Sequence, residues 1–177
     1  MSLIMNGLKA GILVGLIAGL LGGALQVVGS IPVIGFCVCL VTPLTWGLTW
    51  FLFPLGAGLL AVMFAKKDVN SIVDALIAGL VAGIVYALLA WLIGFIVGVA
   101  LLIIWQVINA LLGAATARQN IVNLIINTAV GAIGALFMNV ITTLIGLAII
   151  FVAGLVWGTV GGAIGSFVFK SGAKGKD

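Results

Sequence analysis

The sequence predicts an all-α fold, a polytopic transmembrane helix bundle, on three observations. Hydrophobic residues make up 65% of the chain and charged residues 6%; mean hydropathy is +1.52; and the few charges are separated by long uncharged stretches. An ordinary soluble domain is about half apolar and about a quarter charged. Lys9; Lys66, Lys67, Asp68 and Asp74; Arg118; and Lys170, Lys174, Lys176 and Asp177 carry all the side-chain charge, leaving 10–65, 75–117 and 119–169 free of it. Each run exceeds twice the roughly 20 residues that cross a bilayer as a helix, so each reads as two helices and a turn. The expected architecture is six helices as three hairpins, at about 7–65, 71–113 and 121–169. They form a single integral membrane domain over 1–177, with 170–177 as a cytoplasmic tail. Six crossings put every Lys and Arg on one side, which the positive-inside rule makes the cytoplasm. The chain is thus expected to be multipass in the cell membrane with both termini cytoplasmic.

The first helix, near 7–28, is a retained span rather than a cleaved signal, because Lys9 lies inside the apolar run and no small-x-small cleavage site closes it. The stretch 29–42 contains Ile31-Pro32-Val33-Ile34-Gly35, which breaks the helix, and its apolar remainder suits a re-entrant or interfacial loop. Two thiols in it, Cys37 and Cys39, cannot alone supply four metal ligands; buried structural thiols and a redox or intersubunit metal role are both open. The second helix, near 44–65, contains Pro54, whose missing N–H requires a neighbour to satisfy the freed carbonyl. Its start carries Thr42, Thr45 and Thr49 beside Trp46 and Trp50, either an interfacial anchor or a lining.

Helices three and four are expected near 71–91 and 95–113, with a tight turn at Trp91–Gly94 anchored by the indole, and Asp74 favouring the positive end of the third. The middle run barely holds two crossings. One long tilted helix competes there and would move Arg118 to the other face. Helices five and six are expected near 121–141 and 146–169, around a polar turn at Asn139–Thr143.

Glycine supplies 26 residues, and its spacing is ordered. Gly7, Gly11, Gly15, Gly19 and Gly23 recur every fourth residue; Ala75, Gly79, Gly83 and Ala87 do the same, as do Gly154, Gly158, Gly162 and Ser166. Such rows strip one helix face of side chains, so that another backbone can approach and gain dispersion contacts. They are the candidate packing surfaces, a glycine zipper of GxxxG type. Gly11–Leu25 also aligns with Ala75–Leu89, Gly15 falling on Gly79 and Gly19 on Gly83, which is compatible with a parallel internal repeat.

No histidine and no glutamate are present, which removes the commonest zinc ligand, the usual neutral-pH base and any carboxylate pair placed for hydrolysis. No catalytic residue, metal site or cofactor is therefore expected, and seven scattered Lys and Arg make no nucleic-acid surface. The remaining polar candidates are amides. Gln106 and Asn109 lie three apart, and Asn120, Asn123 and Asn127 form a stripe across the short Arg118 turn. Facing one another, they would either pin a hairpin by interhelical hydrogen bonds or line a polar path for a small solute or lipid head group.

The glycine row of the first helix, Ile31-Pro32 with Cys37 and Cys39, Phe64-Ala65-Lys66-Lys67 and Asp74-Ala75 together resemble glycine-rich multipass membrane proteins of archaea and bacteria, a family of unknown function, over about the first 90 residues. A looser similarity is to the six-helix substrate-binding subunits of energy-coupling vitamin transporters. It implies that Gly7–Gly23 is a docking face, although their substrate-site residues have no counterpart here. The function expected is a structural or accessory membrane subunit without enzymatic activity, acting as a homo-oligomer or within a larger complex among membrane lipids. The alternative is a small transporter, channel or substrate-binding transport subunit for a small or lipid-like ligand.

Overall fold

In lipid a backbone can satisfy its own N–H and C=O groups locally only by staying helical, and a chain with little else but apolar side chains has no cause to leave the helix except at proline or charge. The computed structural model describes residues 2–31, 47–116 and 121–171, and almost all of them are helical. Helix α1 spans Ser2–Gly29. A π-helical turn, Leu48–Leu52, leads into α2, Phe53–Phe64. Helix α3 is Ile72–Thr116, 45 residues, and α4 is Ile121–Ser171, 51 residues. Three of these are long and apolar enough to cross a membrane, over Ser2–Gly29, Ile72–Leu112 and Ile125–Phe169; Leu48–Phe64 is a shorter apolar helix.

The expected six helices are therefore four among the described residues. Trp91–Gly94 and Asn139–Thr143, read as turns, lie inside α3 and α4, so that the second and third hairpins merge into one. The physical reason is the absence of a breaker. All three prolines precede residue 55, a lone glycine weakens a helix by only about 1 kcal/mol, and Thr142 and Thr143 return their hydroxyls to the carbonyls of Met138 and Asn139 one turn back. One consequence concerns charge. The helix ends Thr116 and Ile121 lie at the opposite end of the α3–α4 hairpin from Lys66 and Lys67. Arg118, the stretch 32–46 with Cys37, Cys39, Thr42, Thr45 and Trp46, Asn120 and the tail from 172 lie outside the described residues.

Glycine contacts fix the directions of the helices. A Cβ on Gly7 would stand 2.7 Å from the Ala78 carbonyl, one on Gly11 2.6 Å from that of Ala82, and one on Gly15 3.0 Å from Leu89 Cβ, so α1 and α3 run parallel. The two aligned glycine segments are thus neighbours. Against α4 the order reverses: Gly83 meets Gly154, Gly79 meets Gly158 and Ala75 meets Gly162, each through backbone atoms, so α3 and α4 are antiparallel. Helix α2 runs with α4, Gly58 lying on Gly158 and Val62 on Gly165. Ala10, Ala18, Ala57, Ala61, Ala78, Ala82 and Ala87 complete a core of small side chains with Tyr86 the bulkiest fully buried one.

This bundle occupies α1, α2, the first half of α3 and the last part of α4. Past the end of α1, near the level of Leu101, α3 and α4 continue as an outer arm whose apolar side chains are bare: Leu111 is 66% exposed and Ile133 71%.

At the bundle's charged end the Asn6 amide donates to the Asp68 carboxylate at 3.4 Å. Ser71 and Asp74 make a reciprocal cap on α3: the Asp74 carboxylate accepts the N–H of Ser71 at 2.9 Å and of Asn70 at 3.1 Å, and the Ser71 hydroxyl oxygen accepts the Asp74 N–H at 3.2 Å. Pro54 finds its compensation in the chain's single tyrosine. In the π turn the Phe53 N–H bonds to the Leu48 carbonyl, five residues back. The next donor in that register would be residue 54, a proline, and the Tyr86 hydroxyl donates to the Thr49 carbonyl instead.

Candidate functional site

A cavity of about 710 Å³ opens where the bundle gives way to the outer arm. Its walls come from four elements: the last turns of α1, the π turn, the middle of α3 and the Thr143–Ile150 segment of α4. Helices α1 and α3 are close at Gly15 and Gly19, and both then present residues with little or no side chain. Gly22 and Gly146 meet nothing within 4 Å at the position of a Cβ, Gly94 meets only the Gln26 amide nitrogen at 4.0 Å, and Gly98 only that of Asn139 at 3.6 Å. The space exists because those side chains are missing.

Polar groups line it as well. The Trp91 indole N–H donates across to the Thr143 carbonyl at 2.9 Å, tying α3 to α4, and the Trp91 ring stacks on Phe95 with centroids 5.7 Å apart. The hydroxyls of Ser30 and Thr143 donate to the carbonyls of Val27 and Asn139, each at 2.6 Å. Each hydroxyl oxygen so engaged still accepts. The described lining contains no Asp, Glu, Lys or Arg, and no group of three potential metal ligands occurs among the described residues. The arrangement can hold an apolar body and offer hydrogen bonds; among the described residues its lining has no acid, base or activated nucleophile.

The packing glycines fall outside this space or at its floor. Gly7, Gly11 and Gly15 lie on α3, and Gly79, Gly83, Gly154, Gly158 and Gly162 form the α3–α4 contact; Gly19 and Gly23 press on Ile93 and Val97 where the cavity begins. The amides are elsewhere. Gln106 is half-buried and Asn109, Asn123 and Asn127 are exposed on the outer arm; among the described residues no hydrogen bond joins them and none of the four lines the cavity. Sequence reasoning passed over Gln26 and Gly146, and read Trp91, Gly94 and Thr143 as turn markers. The available signal was glycine off the four-residue rows together with a lone glutamine near the end of an apolar helix. The chain matches no known family model, no curated protein and no solved structure.

Proposed function

We propose that this chain is a non-catalytic structural or accessory subunit of the cell membrane, working as a homo-oligomer or within a larger complex, with its charged bundle end and both termini on the cytoplasmic side. The observation that carries the reading is the contrast between filled and bare surface. The bundle's glycine rows are taken up by the chain's own helices, whereas the outer arm leaves Ile125, Val130, Ile133, Phe137 and Met138 more than half exposed. Helix α3 rises about 67 Å, roughly twice the thickness of the hydrocarbon core, and about 22 Å of it lies past Leu101, beyond α1. An arm of that length and composition is stable only against lipid or protein. Lys9, Lys66 and Lys67 at the bundle end favour its cytoplasmic placement. Gentle-detergent extraction followed by native mass spectrometry tests the reading: a defined oligomer or complex is expected, and a stable monomer that performs the protein's role alone overturns it.

A second reading, binding or transport of a small or lipid-like ligand, is favoured by one observation, the glycine-walled cavity.

A further inference from the structure

We infer that the cavity is a binding site for an uncharged, hydroxyl-bearing amphiphile of the monoacylglycerol kind, seated with its apolar chain between α1, α3 and α4 and its head group at Gln26 and Thr143. The inference rests on the second reading above and is independent of the assembly reading. It starts from a division among the glycines. Where a Cβ on Gly11 or Gly158 would strike backbone within 2.7 Å, packing requires glycine. At Gly22 and Gly146 packing requires nothing, yet both line the cavity. Glycine weakens a helix, so its presence at two such positions on facing helices keeps a volume open rather than a contact close. That volume, about 710 Å³, lies within the range of roughly 300–1,000 Å³ typical of ligand pockets.

The chemistry of the walls selects the ligand. A charged head group would be desolvated with no counter-charge, since the described lining has no ionisable Asp, Glu, Lys or Arg. The Thr143 hydroxyl has committed its proton to a backbone carbonyl, so what it offers is acceptor oxygen. The Gln26 amide, whose nitrogen lies 4.0 Å from a Cβ built on Gly94, adds an acceptor and two donors. A ligand with hydroxyl donors matches that set. The stacked faces of Trp91 and Phe95 supply a flat apolar wall for the chain.

The test uses the full chain in nanodiscs, titrated with monoolein or with lysophosphatidic acid bearing the same acyl chain, and read by native mass spectrometry. Wild type should retain monoolein one to one and prefer it over the charged lipid by roughly tenfold. Gly22→Leu and Gly146→Leu, which fill the cavity from opposite walls, should each weaken retention by roughly tenfold or more while helical content and thermal midpoint hold. Gly56→Leu is the matched control: that glycine also meets nothing within 4 Å but does not line the cavity, and its variant should bind as wild type. Retention of neither lipid by wild type overturns the ligand-binding reading itself. Retention of monoolein that survives both cavity-filling changes overturns the site, and preference for lysophosphatidic acid overturns the ligand class.

Discussion

The bundle and the outer arm are built from the same few residue types, yet they use glycine in opposite ways. In the bundle, glycines of α3 and α4 lie backbone to backbone, with no room for even a methyl group at Gly83 or Gly162. In the arm, Gly131 and Gly134 meet nothing within 4 Å. A glycine count therefore says little about packing. The informative quantity is whether the rows of two helices arrive at the same level in the same register, and only tertiary structure supplies it.

The largest expected effect breaks this comparison directly. Gly83→Leu should abolish the folded bundle, since the added side chain falls on the Gly154 carbonyl, whereas Gly134→Leu should leave the monomer as stable as wild type or slightly more so. Resistance to SDS-induced unfolding and size-exclusion profiles check both; a folded Gly83→Leu protein would remove the argument. Under the assembly reading, Gly134→Leu should nonetheless shift the oligomer distribution.

Next in size, Tyr86→Phe should cost about 1–3 kcal/mol, because it removes the buried hydroxyl that donates where Pro54 cannot. In a Pro54→Ala background the same change should cost less, the restored N–H competing for the carbonyls of that turn; a double-mutant cycle measures the coupling, and strict additivity would count against the link.

At the border between the two regions, Trp91→Phe keeps an aromatic ring but loses the bond to the Thr143 carbonyl, with an expected loss of about 0.6–2 kcal/mol. Hydrogen exchange should show the loosening in the arm rather than in the bundle. Smallest, Ser71→Ala should cost about 1 kcal/mol and fray only the first turn of α3, seen as faster exchange of the Asp74 amide.

Much of this was legible in the residues. Composition fixed the class, Asp74 marked a helix start, and Pro54 required a donor from elsewhere, although nothing in the chain order pointed to Tyr86, more than thirty residues on. The number of helices was less accessible. Trp91, Asn139 and Thr143 are residues of interfaces and turns, but proline and charge are what break an apolar helix, and neither occurs between Ala75 and Ala117 or between Gln119 and Phe169. The cavity was illegible for a different reason. Gln26, Trp91 and Thr143 come from three helices, and no local pattern shows that they line the same space.

The parallel pairing of α1 with α3 bears on how the molecule is made. The face from Gly7 to Gly23 has as its partner the stretch from Ala78 to Val97, which leaves the ribosome about seventy residues later. At about 5–20 residues per second, the first span waits on the order of several seconds in the bilayer with an empty groove on one side. During synthesis that groove is open to any small-residue helix nearby, so correct assembly depends on the third helix arriving before a stranger does.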